Sequence, residues 1–89
     1  ALHLAALVGN NDMARIMLDL GADILKTDIY GDTALHAASY AGHVSTIRLL
    51  LEKGANINHR NIAYGWTALQ WASEYGRTNV VALLQSLGR

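Results

Sequence analysis

Hydrophobic residues recur at helical spacing in short segments of this chain, and each segment ends at or close to a glycine. In the clearest segment, Val44, Ile47 and Leu51 follow one another at intervals of three and four residues, which places them on one face of a helix. Gly54 follows, and glycine ends helices because it adopts the left-handed conformation without steric cost. The same pattern along the chain predicts six helices, over residues 1–8, 11–20, 34–41, 44–53, 68–75 and 78–87.

The whole pattern repeats three times. Leu2, Gly9 and Gly21 recur 33 residues later as Leu35, Gly42 and Gly54, and 34 residues further on as Leu69, Gly76 and Gly88, which predicts a helix stop at Gly88. The extra residue falls in the loop between the second and third copies, within residues 61–64. Helices this short are marginal alone in water, so the copies must stack on one another. We therefore predict one all-α domain of three repeats, over residues 1–27, 28–60 and 61–89.

One copy carries a motif as well as a period. Its segments DIYGDTALHAASYAGHV at 28–44 and LLLEKGANIN at 49–58 resemble the ankyrin repeat, and the resemblance extends over essentially the whole chain. It implies an ankyrin-repeat solenoid of stacked helix–turn–helix units, with hairpin-like turns near 28–32 and 61–66. It implies a function in binding another protein, and it implies that Asp28 forms a turn by bonding nearby backbone N–H groups.

The two ends of the predicted stack differ. In the third copy Gln85 and Thr78 stand where the second copy has leucine and valine, so we interpret this copy as a C-terminal cap with a polar outer face. The first copy begins inside the motif and shows an apolar edge, formed by Leu2, Leu4, Leu7 and Val8. We expect a preceding repeat or a partner to cover this edge. Self-association of the isolated chain through it is a further possibility.

Composition and charge disfavour several classes of partner. Lys plus Arg and Asp plus Glu both number seven, so the formal net charge is zero, and neither sign forms a run. Nucleic acids and anionic membranes attract concentrated basic patches, and no apolar stretch approaches the length of a membrane span. We therefore expect neither partner. The chain has no cysteine, which fits an intracellular protein, cytoplasmic or nuclear.

No residue pattern indicates catalysis, a cofactor or a metal site. The Gly-rich and nucleophile motifs are missing, and the carboxylates are spread over all three copies. His3 and His36 occupy equivalent repeat positions but have no partners at the spacing of zinc ligands. The resemblance implies that they are structural hydrogen-bonding residues. We expect His59 in an exposed loop, and neither enzymatic activity nor a cofactor.

The aromatic residues are the candidates for recognition, because Tyr and Trp are enriched at binding hot spots. The resemblance implies that partners contact the turn tips and the inner face of the first helices. Trp71 is the exception, since its position favours packing between helices. The predicted partner-binding site is Tyr30, Asp32, Tyr40, Tyr64, Trp66, Glu74 and Tyr75. Its two acidic residues are expected to form a rim, which favours a partner segment carrying an apolar side chain and a Lys or Arg.

Two hypotheses of function remain open at this stage. The chain is either a module that recognises a partner protein or peptide, or an architectural spacer in a longer solenoid. Exposed and contiguous aromatic side chains would favour the first. Asn58, with Leu50 eight residues before it, also matches an asparagine that is hydroxylated in some ankyrin repeats. The alternative is that Asn58 serves to form hydrogen bonds in the interrepeat loop, and both roles can hold together.

Overall fold

The computed structural model describes residues 2–87, so Ala1, Arg89 and the predicted stop at Gly88 lie outside the described residues. Between residues 2 and 87 the chain forms six helices and no strand. The helices are α1 (Leu2–Val8), α2 (Asn11–Asp19), α3 (Ala34–Ala41), α4 (Val44–Glu52), α5 (Ala68–Glu74) and α6 (Thr78–Leu87). The predicted helices are confirmed, with bounds that agree to within one residue. None of the helices in this range is long and apolar enough to cross a membrane.

Threonine begins the first helix in the second and third repeats, where Thr33 and Thr67 are the N-cap residues. Thr67 Oγ1 accepts from the backbone N–H of Gln70 at 3.4 Å, and Gln70 Oε1 accepts from the backbone N–H of Thr67 at 3.1 Å. This reciprocal pair is a capping box, which satisfies two N–H groups that have no partner within the helix. In α3 the position equivalent to Gln70 holds His36. Its Nδ1 accepts from the backbone N–H of Thr33 at 3.1 Å.

The first helices α1, α3 and α5 lie side by side, and the second helices α2, α4 and α6 lie behind them. The first helices approach one another more closely than the second helices do, because only small side chains separate them. These are the buried residues Ala5, Ala6, Ala38 and Ala72. Close inner and wider outer spacing curves a stack of repeats. We call the inner side, which carries the first helices and the turn tips, the concave face.

Histidine side chains join successive repeats. His3 Nε2 lies 2.7 Å from the carbonyl oxygen of Asp32, and His36 Nε2 lies 3.1 Å from the carbonyl oxygen of Trp66. Since a carbonyl can only accept, Nε2 of His36 carries the proton and Nδ1 is left to accept from Thr33. Burial lowers the pKa of His36, and the nearby charge of Asp32 and the two backbone carbonyls offset part of this effect. Both histidines therefore have the structural role that was expected.

His59 differs from its prediction as an exposed loop residue. Its side chain is only partly exposed, and its Nε2 donates to the carbonyl oxygen of Gly31 at 3.1 Å. Its own carbonyl accepts from His36 Nε2 at 3.0 Å. Two imidazole hydrogen bonds therefore tie the loop after α4 to α3 and to the turn that precedes α3.

The apolar edge of the first repeat is only partly as predicted. Leu2 is 7% exposed and belongs to the core, so the prediction that it forms part of the edge is wrong. Leu4 and Val8 are exposed as expected, together with Ile16 at 53%. Leu49, which occupies the position of Ile16 one repeat later, is 4% exposed because the first repeat covers it. At the opposite end Gln85 and Thr78 are exposed, as expected of a polar outer face.

Candidate partner-binding surface

Five aromatic rings from the second and third repeats form one continuous cluster on the concave face. Trp71 lies at its centre, with ring centroids 5.1 Å from Trp66, 5.6 Å from Tyr40, 5.7 Å from Tyr75 and 6.2 Å from Tyr64. The outer rings also pair with each other: Tyr40 lies 4.6 Å from Tyr75, and Tyr64 lies 4.7 Å from Trp66. Most of these contacts are edge-to-face, a favourable geometry for aromatic pairs. We call these five residues the aromatic cluster.

Sequence analysis missed the central member of this cluster. Trp71 of α5 packs against Tyr40 of α3, but its side chain is also partly exposed on the concave face. Its indole Nε1–H donates to Asp32 Oδ1 at 2.9 Å. The sequence contained one usable signal. The repeat position of Trp71 holds Leu4 and Ala37 in the other copies, whereas the next position holds alanine in all three. A position that tolerates such different volumes faces open space rather than a close-packed interface.

Asp32 has a different role from the one predicted. It is 9% exposed and lies beneath the aromatic cluster rather than at its rim. Its Oδ1 atom accepts from both the Trp71 indole and the side-chain amide of Asn61, the latter at 3.0 Å. Since a buried carboxylate needs hydrogen-bond donors to replace its lost water, these two groups hold Asp32 in place. In return, Asp32 orients the Trp71 ring.

Asn61 organises the loop that carries Tyr64 and Trp66. Its Oδ1 accepts from the backbone N–H of Tyr64 at 3.0 Å and from that of Trp66 at 2.9 Å. One repeat earlier, Asp28 Oδ1 accepts from the N–H groups two and four residues ahead, both at 2.9 Å, as the resemblance implied. The corresponding N–H groups in the second loop lie three and five residues ahead of Asn61. The inserted residue therefore lies between Asn61 and Tyr64, within the predicted segment.

A groove of about 430 Å³ adjoins the aromatic cluster on the concave face. Its surface is mostly carbon, because Leu4, Ala37 and Trp71 line it at one shared repeat position. Ala37 is the smallest of the three and lies in the middle repeat, so it leaves a hollow between larger neighbours. Leu7 and Tyr40 share a second repeat position and also line the groove. Tyr30, Asp28 and Asp32 contribute from the turn. We call it the concave groove.

Comparison with known proteins identifies the repeat. A profile of ankyrin repeats matches residues 2–89 in three copies. The chain belongs to the ankyrin-repeat family. Ankyrin repeats generally mediate protein–protein interaction and are generally not enzymes, which agrees with the class of function inferred from the sequence.

The relatives of this ankyrin-repeat chain are longer proteins of different kinds. Ankyrin repeat and SOCS box protein 3 of Bos taurus is 46% identical over 88 residues, which are 99% of this chain and 17% of that protein. Tyrosine-protein kinase Shark of Drosophila melanogaster is 35% identical over 81 residues, 91% of this chain and 9% of the kinase. Calmodulin-binding transcription activator 6 of Arabidopsis thaliana is 37% identical over 68 residues, 76% of this chain and 8% of that protein.

The predicted site residues lie on the concave face of this ankyrin stack to different extents. Tyr40, Tyr64 and Tyr75 are exposed and Trp66 is partly exposed, and all four belong to the aromatic cluster. Glu74 is exposed at the end of α5. Tyr30 is exposed too and lines the concave groove, but among the described rings it is outside the cluster. The backbone carbonyl of Tyr30 contacts the second interrepeat loop, because it accepts hydrogen bonds from the backbone N–H groups of Ile62 and Ala63.

Two other expectations concern chemistry away from the aromatic cluster. Among residues 2–87, no three His, Asp or Glu side chains lie close enough to hold a metal ion. Asn58 is exposed, and its backbone N–H donates to Asn56 Oδ1 at 3.0 Å. This turn contact repeats the one between Leu25 and Asp23 at 2.9 Å. Hydroxylation of Asn58 stays a prediction.

Proposed function

We propose that this chain binds a partner protein or peptide through its concave face, using the aromatic cluster and the concave groove. The observation that carries the proposal is the continuity of five rings across two repeats, with three tyrosines exposed. The proposed contact residues are those predicted from the sequence, Tyr30, Tyr40, Tyr64, Trp66, Glu74 and Tyr75, together with Trp71. Asp32 is proposed to position Trp71 rather than to touch the partner.

The rings are well suited to binding because they are already ordered. Edge-to-face contacts hold each ring against another, and the Asn61 hydrogen bonds hold the loop that carries Tyr64 and Trp66. Little side-chain or loop entropy therefore remains to be lost on association. Large rings with a polar tip, in a preformed arrangement, are the typical anchors of binding hot spots.

The architectural spacer remains the alternative. A spacer needs only the contacts between repeats, and those are made by the buried alanines, the second-helix leucines and the histidine hydrogen bonds. Tyr64 is 64% exposed and Tyr75 is 48% exposed, so much of their ring surface takes no part in stacking. Large exposed rings without a partner are unfavourable in water, which favours recognition over spacing.

Several coarser expectations belong to the same proposal. We propose three repeats bounded at residues 1–27, 28–60 and 61–89, and an intracellular location, cytoplasmic or nuclear. No catalysis, nucleic-acid binding or membrane binding is proposed, because the charges of the whole chain balance and no Lys or Arg is among the described residues that line the concave groove.

The test is a comparison of partner affinity between concave-face and convex-face variants. Partners are captured from cells with the intact protein, identified and purified, and affinity is then measured for wild type and for Tyr40→Ala combined with Trp66→Ala. The double variant should lose about 2 kcal/mol or more, roughly thirtyfold in affinity. Arg48→Ala combined with Lys53→Ala changes exposed residues of the second helices and should cost almost nothing.

Folding is checked by circular dichroism, and Tyr64→Ala serves as a second variant because its exposed ring contributes little to the core. Unchanged affinity in both folded concave-face variants would overturn the proposal in favour of the spacer.

A further inference from the structure

We propose that the concave groove takes an arginine side chain of the partner, with its guanidinium held on one side by the Tyr40 and Trp71 rings and on the other by the Asp28 carboxylate, above the buried charge of Asp32. This inference rests on the proposed function and names the chemistry that the same site reads. Three independent features of the groove carry it: its charge, its rings and its shape.

The charge on the concave groove is negative although the whole chain is neutral. Asp28 and Asp32 line the groove, and no Lys or Arg is among its described lining residues. Within residues 2–87 the one ion pair joins Arg15 to Asp12 at 3.9 Å, on α2 and far from the groove. The two groove carboxylates are therefore hydrogen-bonded only to neutral groups, namely backbone N–H, the Asn61 amide and the Trp71 indole.

The imidazole of His36 does not compensate this charge. His36 lines the groove, but burial lowers its pKa, and its Nδ1 already accepts from Thr33. It therefore stays neutral at physiological pH. A cation entering the groove would meet two carboxylates with no Lys or Arg among the described lining residues, and wall residues of low polarity leave their field weakly screened.

The rings favour a planar cation. The Trp71 indole Nε1–H donates to a carboxylate oxygen, which shifts electron density toward the ring and strengthens its attraction for a cation above its face. Tyr40 stands edge-on to Trp71 at 83°, so the two rings form a corner. A guanidinium stacks on an aromatic face and still has donors free for nearby carboxylates, whereas a lysine ammonium is more strongly hydrated and does not stack.

The shape of the groove matches the rest of an arginine side chain. Ala37 leaves a hollow between Leu4 and Trp71, and the volume of about 430 Å³ is ample for one long side chain. The methylene stem of arginine can cover apolar surface while its charged end reaches polar groups. Leu4, Leu7 and Ala37 supply that apolar surface.

The experiment uses four pools of synthetic peptides that differ only at a fixed central residue. That residue is arginine, lysine, citrulline or leucine, and the flanking positions are randomised without Lys or Arg. Citrulline has the shape of arginine without its charge. Each pool is passed over the immobilised chain, and retention is measured by mass spectrometry. The NMR signal of the Trp71 indole N–H reports whether binding reaches the groove.

The arginine pool should be retained about tenfold better than the citrulline pool, and it alone should shift the Trp71 indole signal strongly. Asp28→Asn should reduce the retention of the arginine pool by about threefold. This variant keeps the turn, because Asn61 fills the same role one repeat later with an amide oxygen. Asp19→Asn is the matched control, since it removes the same charge from the exposed end of α2, and it should change nothing.

Each other outcome overturns a distinct claim. If the citrulline or lysine pool is retained as well as the arginine pool, or if the arginine preference is undiminished in Asp28→Asn, the arginine inference is overturned. If peptides are then still retained better by wild type than by Tyr40→Ala, the proposed function stands. If every pool is retained equally by wild type and by Tyr40→Ala, the concave face is not a peptide-binding site, and both proposals fail.

Discussion

The side-chain amide of Asn61 donates a hydrogen bond to Asp32 Oδ1 at 3.0 Å, and both side chains are buried. The same oxygen accepts from the Trp71 indole at 2.9 Å. A single carboxylate atom thus connects the turn before α3, the second interrepeat loop and the central ring of the aromatic cluster. The arrangement depends on Asn61 being an amide, because a carboxylate at that position has no proton to donate.

We predict that Asn61→Asp destabilises the fold by about 1–3 kcal/mol at neutral pH. Asp32 would lose a donor, and two carboxylates would lie within hydrogen-bond distance of each other. Proximity would raise the pKa of one of them in the folded state. The loss should therefore diminish as pH falls and that carboxyl binds a proton. Urea unfolding at several pH values measures both effects.

Asn56→Asp is the matched control for this prediction. This variant makes the same change from amide to carboxylate, but in an exposed turn. Asn56 Oδ1 accepts from a backbone N–H, and one repeat earlier the carboxylate of Asp23 already makes the equivalent contact. Its effect should stay within about 0.5 kcal/mol. Equal effects at positions 56 and 61 would show that the Asn61 contact contributes nothing specific.

The lowered pKa of His36 predicts that acid destabilises the fold. The unfolded chain binds a proton near the ordinary histidine value of 6.5, whereas folded His36 binds it only at lower pH. The contribution of His36 to the free energy of unfolding should therefore be constant above about pH 6.5 and fall as pH decreases toward the folded pKa. The slope in that window should be positive and at most about 1.4 kcal/mol per pH unit, the value for one proton.

The variant His36→Gln should remove this slope, because glutamine does not titrate. Gln70 shows that glutamine still accepts from the threonine N–H. The variant should also lose about 1 kcal/mol at neutral pH through the missing bonds to the His59 and Trp66 carbonyls. An undiminished slope in His36→Gln would assign the acid sensitivity to other groups.

Gly31→Ala should destabilise the fold more than Gly54→Ala. Both glycines have a left-handed φ, +80° and +100°, which costs an alanine about 1–2 kcal/mol. At Gly54 an added Cβ meets nothing within 4 Å, whereas at Gly31 it would lie 2.6 Å from the backbone nitrogen of Ile62. Backbone cannot move aside without breaking the Ile62–Tyr30 hydrogen bond. Thermal unfolding of the two variants should separate them by about 1–3 kcal/mol, and equal values would contradict the close approach.

The isolated chain is predicted to self-associate weakly through the apolar edge of the first repeat. Leu4, Leu7 and Val8 are 60%, 41% and 61% exposed, and exposed apolar patches promote association. Serine substitutions at these three positions should reduce association in sedimentation equilibrium. Leu87→Ser is the matched control, because Leu87 is 50% exposed at the opposite end and should not matter. A monomer at high concentration in every variant contradicts the prediction.

Asn58 is predicted to be hydroxylated in cells that contain an asparaginyl hydroxylase. Its side chain is exposed, and only its backbone N–H takes part in the turn contact with Asn56. The enzyme can therefore reach it without breaking the core. Mass spectrometry of the protein from such cells should find one added oxygen on the peptide that contains Asn58. Recovery of only the unmodified peptide, with hydroxylase active on another substrate, would reject this prediction.

The helices and the repeat were predictable because their causes are local in sequence. Thr67 caps α5 through a residue three positions ahead, and Gly42 ends α3 with a φ of +83° that its own lack of a side chain permits. The insertion was placed within four residues by counting alone. The aromatic candidates at the turns were found in the same way, since positions that depart from a repeated pattern are visible in a sequence.

The burial of Asp32 and Leu2 and the hydrogen bond of Trp71 were decided only by the tertiary structure. Burial depends on what the neighbouring repeat supplies at each point, and this is set by the sum of many side-chain volumes rather than by the residue itself. Asp32 is buried where the inserted loop brings Asn61 into hydrogen-bond contact with it, and the same carboxylate oxygen accepts from the Trp71 indole. A charged residue in a turn is ordinarily exposed, so a sequence alone assigns Asp32 to the rim. Long-range hydrogen bonds made through an irregular loop reversed that assignment.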